Sequence, residues 1–361
     1  MAEENKNIDP RIATATSHWA HRFTANGVPL YDFQSVAAEI TQWDEWCAAW
    51  SERGAVHEAM GKEALDAGYT LSAAEHYTRG GVCYHFGKFL FVHKPDELKA
   101  AHAKAVACRN AALPHLRPAG ERVAIPFDGQ RLYANFRKPV GIDRPPVVVM
   151  CMGLDSSKEE MDSYETDLLR RGMATLCFDG PGQGEGEFVW AMRPDYEAPV
   201  HAVFDWLEKR DDIDRARIGL WGVSLGGYFA PRAAAFEHRA KACVGLSGPY
   251  RWIDVFDKAN NLTREAFRVR THSADAAAAR DMAAKFTLEG VAKNIRCPLL
   301  IMAGTRDTLI PDEHGRRAVA EAGPQATLLM VEEGSHVSNN VWYRYRPQVA
   351  DFMAHHLGAR G

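Results

Sequence analysis

Three residue types that together make a serine alcohol reactive occur in one order along this chain: Ser224, Asp307 and His336. Ser224 lies in Ile218-Gly219-Leu220-Trp221-Gly222-Val223-Ser224-Leu225-Gly226-Gly227, where an apolar run meets Gly-x-Ser-x-Gly. Asp307 closes Ile301-Met302-Ala303-Gly304-Thr305-Arg306-Asp307, and His336 closes Glu333-Gly334-Ser335-His336. A serine hydroxyl is a poor nucleophile without a base beside it. Histidine takes the serine proton, and a carboxylate holds the imidazole in the right tautomer and stabilises its charge. The chemistry implied is covalent attack on a carbonyl carbon. Taken singly, each residue has a plain reading: a Gly-rich turn with an incidental serine, a helix-capping aspartate, a solvated loop histidine. Asp312 is better placed than Asp307 to start the helix near Pro311. All three after predicted strands, in this order, favour the triad.

Attack on a carbonyl leaves negative charge on oxygen, which two converging backbone N–H groups can stabilise. Leu225, directly after the nucleophile, is one candidate. Leu154, in the loop Gly153-Leu154-Asp155 after the run Val147–Met152, is the other. Asp179-Gly180-Pro181-Gly182-Gln183-Gly184-Glu185 is also Gly-rich but lacks the Lys-Ser/Thr of a phosphate loop. It reads as a tight loop bordering the cleft.

These residues need a sheet to carry them. Val147–Met152 is a continuous apolar run, as expected of a strand buried on both faces. Strands are predicted at 174–178, 218–223, 242–246, 298–303 and 327–331. Helices are predicted between them at 156–171, 196–209, 225–236 and 313–322, with a last one at 347–357. Ser157 and Glu160 have the spacing of a capping box. Such alternation implies a parallel, doubly wound sheet whose sites lie beyond the carboxyl ends of the strands. A hairpin, Arg122–Phe127 and Leu132–Phe136 around Asp128-Gly129, precedes it. Charged, helix-like residues 250–290 read as an insertion over the strand ends. Tyr250, Trp252 and Asp254 there are candidate substrate contacts.

Before the sheet, residues 1 to about 30 read as irregular. Residues 31–113 read as helices: one from Phe33 to Trp50 with a heavy aromatic face, then 56–67, 71–91 and 95–114. The division predicted is a helical domain, 1–117, and a catalytic domain, 118–361. His85, in Tyr84-His85-Phe86, is a candidate pocket residue, although a histidine on such a face is more often simply packed.

The 361 residues are too many for one ordinary core. A net charge of −4 with no long basic run implies no nucleic-acid partner. No apolar stretch is long enough to span a bilayer, and Met1-Ala2-Glu3-Glu4-Asn5-Lys6 lacks the apolar core of a signal peptide. Seven cysteines without Cys-x-x-Cys, and fifteen histidines without His-Glu-x-x-His, suggest neither disulfides nor metal. A cytoplasmic protein with no cofactor is expected.

The stretches Gly153-Leu154-Asp155-Ser156-Ser157-Lys158-Glu159-Glu160, Phe178–Glu185 and Ser224–Gly227 resemble the dihydroxypseudooxynicotine hydrolases and the fungal polyketide-shortening hydrolases. Tyr84–Phe91 is similar to that group's amino-terminal domain. The resemblance implies an α/β-hydrolase whose helical domain covers the active site as a lid, often as a homodimer. It implies hydrolysis of a carbon–carbon bond beside a ketone, without metal or organic cofactor. Ser224, Asp307 and His336 match the group's triad. Its further acidic residue, after the sixth strand, has no matching motif here; Asp254 and Asp257 are the nearest. A carboxylic ester or amide hydrolase with the same triad is the alternative, and a binding protein on a hydrolase fold is a third reading.

Overall fold

In the computed structural model, which describes residues 8–359, the chain separates into two units, Met1–Arg117 and Pro118–Gly361. The first unit is helical: α1 (Pro10–His18), α2 (Ala20–Ala25), α3 (Leu30–Glu39), α4 (Trp46–Asp66), α5 (Thr70–Lys88) and α6 (Pro95–Ala112). Proline opens both α1 and α6, where its missing N–H costs nothing. Aromatic side chains at helical spacing build the core. Phe23 stacks on Phe86 at 3.9 Å and meets Trp50 at 5.0 Å. The Trp46 indole N–H donates to the Phe86 carbonyl, so this buried polar group is satisfied.

Three expectations for this unit fail. Residues 10–25 are helical, not irregular; residues 1–7 lie outside the described residues. Helices this short carry too few turns for a periodic signal, and tertiary burial of Ile12, Ala15 and Phe23 holds them. The long helix predicted from Phe33 to Trp50 is broken. The chain extends at Ile40 and restarts at a 3₁₀ turn, Trp43–Glu45. Gln42 and Glu45 cap that turn reciprocally, and Glu45 also accepts from Thr41 N–H at 2.8 Å. The segment expected as a separate helix at 56–67 continues α4.

The second unit is an eight-stranded sheet of order β1-β2-β4-β3-β5-β6-β7-β8. Its strands are β1 (Gly120–Phe127), β2 (Gln130–Arg137), β3 (Val147–Cys151), β4 (Ala174–Phe178), β5 (Ile218–Val223), β6 (Ala240–Leu246), β7 (Leu299–Gly304) and β8 (Ala326–Val331). β1 and β2 form the expected hairpin, with Asp128 and Gly129 both at positive φ. β2 runs antiparallel to β4, and from β4 to β8 every pairing is parallel. Every residue of β3, β4, β5 and β7 is buried, which accounts for their uninterrupted apolar sequence.

The helices of this unit are α7 (Asp162–Leu169), α8 (Glu197–Leu207), α9 (Gly226–Ala234), α10 (Trp252–Phe256), α11 (Asn261–Arg270), α12 (Ala276–Ala283), α13 (Asp312–Ala322) and α14 (Arg346–Leu357). The insertion at 250–290 is thus α10 to α12. Residues 156–161 depart from the predicted helix: α7 starts only at Asp162, after a 3₁₀ turn at Lys158–Glu160 without a side-chain cap. The Lys158 N–H is claimed by the Asp179 carboxylate at 2.9 Å, across the sheet end, and this tertiary bond overrides the local capping signal. Among the described residues, no helix is long and apolar enough to cross a membrane.

Candidate active site

β5 ends at Val223 and α9 begins at Gly226, so the chain reverses within two residues. That turn puts Ser224 at φ 56°, a left-handed conformation that costs a non-glycine residue energy. The turn closes because Gly222 has no side chain: a Cβ there would lie 1.9 Å from the Gly226 carbonyl oxygen. The Ser224 N–H donates to the Leu246 carbonyl at the end of β6 (2.8 Å), and its carbonyl accepts from Gly227 N–H (2.7 Å). The strained residue is therefore held by both neighbours in the fold. A Gly222→Ala variant is expected to lose about 1–3 kcal/mol of stability, the usual cost of forced overpacking. Thermal melts followed by tryptophan fluorescence check this, and an unchanged midpoint would show that the turn opens freely.

Asp307 and His336 reach Ser224 from the ends of β7 and β8. The Ser224 hydroxyl stands 2.9 Å from His336 Nε2, and His336 Nδ1 stands 2.9 Å from Asp307 Oδ2. The other carboxylate oxygen, Oδ1, accepts from Leu309 N–H (3.0 Å) and Ile310 N–H (2.9 Å). These two amides pin the carboxylate, so Oδ2 is left for the imidazole. With Nδ1–H donating to Asp307, Nε2 carries the lone pair that accepts the serine proton. The Asp307 side chain is fully buried and that of His336 nearly so. Behind His336, Val337 (φ 58°) and Ser338 (φ 52°) are both left-handed, and Val337 N–H donates to Ser247 Oγ at 3.2 Å. Positive φ at a β-branched valine is strained, and it sits directly beside the imidazole.

The sequence-predicted oxyanion amides flank this array in the chain: Leu225 follows the serine, and Leu154 follows β3. Among the described residues, neither N–H donates to a backbone carbonyl. The loop around Leu154 is held by two side chains that sequence reasoning did not single out. Gln183 Nε2 donates to the carbonyls of Met152 (2.6 Å) and Gly153 (2.7 Å). Arg270, at the end of α11, donates through Nη1 to the Leu154 carbonyl. The signal for Gln183 was present, since the Gly-rich loop 179–185 is too specific to be an ordinary turn. Nothing in the sequence pointed to Arg270.

A buried charge cluster underlies the same segment. Lys158 Nζ lies 2.7 Å from carboxylate oxygens of Glu159, Asp179 and Glu185. Asp179 also accepts from the backbone N–H of Lys158 and of Glu185 (3.0 Å), tying the end of β4 to both loops. Burial pushes the Asp179 carboxyl up to about 6; Lys158 opposes this, while Glu159 and Glu185 add to it. Burial alone would lower Lys158, but its three acidic neighbours outweigh it and hold the ammonium protonated.

The remaining candidates have other partners. The Tyr250 hydroxyl donates to Glu321, and Arg317 lies 4.4 Å over its ring. Trp252 is buried against Phe267. Asp254 pairs with Arg317 at 3.3 Å, and Asp257 with Arg280 at 2.7 Å. Neither acid is bonded to the triad. His85 is fully buried on α5, edge-on to the Phe86 ring.

A mostly parallel sheet with a strained serine between the end of a central strand and the following helix is the α/β-hydrolase fold. The chain belongs to the prolyl oligopeptidase family, whose model matches residues 161–360, and is a hydrolase of this fold. It is 33% identical over 327 residues to 2,6-dihydropseudooxynicotine hydrolase of Paenarthrobacter nicotinovorans, covering 87% of this chain and 84% of that protein. The solved structure of 2,6-dihydroxy-pseudo-oxynicotine hydrolase superimposes with a TM-score of 0.86 at 30% identity, covering 95% of this chain and 97% of that one. A fungal relative, the 20-hydroxy-prefusarin hydrolase of Gibberella moniliformis, is 32% identical over 250 residues. That match covers 64% of this chain but only 58% of the fungal protein.

Proposed function

We propose that Ser224, His336 and Asp307 form a catalytic triad that hydrolyses a carbon–carbon bond beside a ketone in a small-molecule substrate. The observation that carries the triad is the unbroken line from Ser224 Oγ through both imidazole nitrogens to a carboxylate already pinned by two amides. The choice of bond rests on the similarity to 2,6-dihydropseudooxynicotine hydrolase across nearly the whole of both chains.

In this reading His336 takes the Ser224 proton as Oγ attacks the ketone carbonyl, and the Leu154 and Leu225 N–H groups stabilise the oxyanion. Collapse breaks the C–C bond and yields an acyl-serine. The departing carbon carries the electron pair. It is a poor leaving group unless a second carbonyl or a phenol-like ring spreads the charge as an enolate, and protonated His336 returns the proton to it. Water activated by His336 then releases the acid and restores Ser224. The substrate class is accordingly a 1,3-diketone or an aryl analogue of one.

The same triad hydrolyses esters, where an alkoxide leaves far more easily. A paired assay separates the two. Purified protein is expected to turn over aryl-substituted 1,3-diketones with kcat/KM at least about tenfold above that for short p-nitrophenyl esters. Efficient ester turnover with every diketone untouched would overturn the C–C reading and leave the esterase.

A further inference from the structure

Three consecutive carbonyls, those of Met152, Gly153 and Leu154, each accept a hydrogen bond from a buried side chain. Backbone at the mouth of a strand usually bonds to water or to its neighbours, so this concentration of side-chain donors on one short loop calls for a reason. Two of the three bonds come from Gln183. We propose that Gln183 is the positioning residue of the oxyanion hole, holding the Gly153–Leu154 peptide so that the Leu154 N–H faces the oxygen of the attacked carbonyl. The proposal rests on the triad reading above.

The Tyr196 hydroxyl donates to Gln183 Oε1 at 2.6 Å. Tyr196 is fully buried, and burial raises its hydroxyl far above the ordinary range, so it stays protonated and can act as that donor. A donor at one end of the amide fixes the oxygen there and the NH₂ at the other. Both amide hydrogens are then used, one on each carbonyl. In a planar trans peptide the C=O and the following N–H point in opposite directions. Anchoring the Gly153 oxygen on the Gln183 side therefore turns the Leu154 N–H to the opposite side. A hydrogen bond to the carbonyl also polarises the peptide and strengthens its N–H as a donor. Arg270 fixes the next peptide plane through the Leu154 carbonyl, and an ion pair with Glu187 at 3.2 Å steadies it.

The arrangement explains the composition of the loop as well. A Cβ on Gly180 would lie 2.1 Å from the Tyr196 hydroxyl oxygen, so only glycine admits the group that orients Gln183. Asp179 anchors the start of the loop to Lys158 and Glu185. Donors aimed in advance at the developing charge are what make such a hole effective, and removing one costs about 10²–10³ in rate.

A fluorophosphonate tests this without knowledge of the substrate. Ser224 Oγ attacks phosphorus, the P–O bond forms, fluoride leaves with the P–F electrons, and the serine proton passes to His336. The phosphoryl oxygen occupies the hole. Gln183→Met keeps the volume and removes the donor. Its limiting labelling rate is expected to fall about 10- to 1,000-fold, with the half-saturating probe concentration within about threefold of the parent. Circular dichroism and thermal melting accompany the measurement. Should Gln183→Met not fold, Tyr196→Phe replaces it, with an expected rate loss of about 3- to 10-fold at unchanged half-saturation. A folded variant labelled at the parental rate overturns the proposal, as does a change in half-saturation alone. Ser224→Ala separates this failure from failure of the triad: labelling that persists in Ser224→Ala, or is absent from the parent, removes the triad reading and this proposal with it.

Discussion

Replacing Ser224 with alanine is expected to cut kcat by about four to six orders of magnitude while leaving the fold intact. That is about 5–8 kcal/mol of transition-state stabilisation. The size follows from the geometry. The attacking oxygen, which stands 2.9 Å from His336 Nε2, is lost outright. The change relieves no backbone strain, since alanine must occupy the same φ of 56°. His336→Ala is expected to be similarly severe, because the proton then has nowhere to go. Asp307→Asn acts differently. Oδ1 is held by the Leu309 and Ile310 N–H groups, so the new NH₂ must take the place of Oδ2. It then donates to Nδ1, moves the imidazole proton to Nε2, and leaves no lone pair for the serine. A loss of about four orders of magnitude is expected, smaller than for Ser224→Ala. Steady-state kinetics on the purified variants check the ranking. A folded Ser224→Ala protein with near-parental turnover would remove the triad.

The second large effect is on stability. Lys158→Met is expected to destabilise the second unit by about 3–5 kcal/mol near neutral pH, the usual result of removing one partner from a buried ion pair. Lys158 and Asp179 are fully buried, and Glu159 nearly so. Methionine fills the volume, but it takes away the ammonium that Glu159, Asp179 and Glu185 share, while Glu185 keeps its ion pair with Arg122 at 2.6 Å. The pH dependence gives this prediction its signature. A carboxyl whose folded pKa is raised favours folding at low pH, and that contribution is lost as the pH rises through the folded pKa. Burial already pushes Asp179 up to about 6 in the parent, and loss of the ammonium raises it further. The deficit of the variant should therefore shrink as the pH falls from about 8 towards 5. Denaturant titrations at the two pH values measure it. A deficit below about 1 kcal/mol at pH 8, or one that grows on acidification, would contradict the account.

Some of this was legible from local sequence, because it is written in local patterns. The apolar runs that became β3, β4, β5 and β7 could only be strands buried on both faces. Gly222-x-Ser-x-Gly226 implied a turn too tight for side chains, and the 1.9 Å that a Gly222 Cβ would leave shows why. Asp307 and His336 could be named because each follows a strand, and a parallel sheet brings strand ends to one edge whatever the intervening chain does.

Tertiary structure decided what depends on partners distant in the chain. The helices α1 and α2 are too short to announce themselves and are held by Phe23 against Phe86, 63 residues away. α7 starts later than its sequence predicts because the Lys158 N–H is taken by Asp179, 21 residues on. Gln183 and Arg270 reach the Leu154 loop over 30 and 116 residues. The partners of Asp254 and Tyr250, candidate substrate contacts by sequence position, are Arg317 and Glu321 of α13. Periodicity and motif spacing report which face of an element is buried and where the chain must turn. Which side chain satisfies a given carbonyl or carboxylate is set by packing in three dimensions, because a buried polar group takes the nearest partner of matching chemistry rather than the one nearest in the chain.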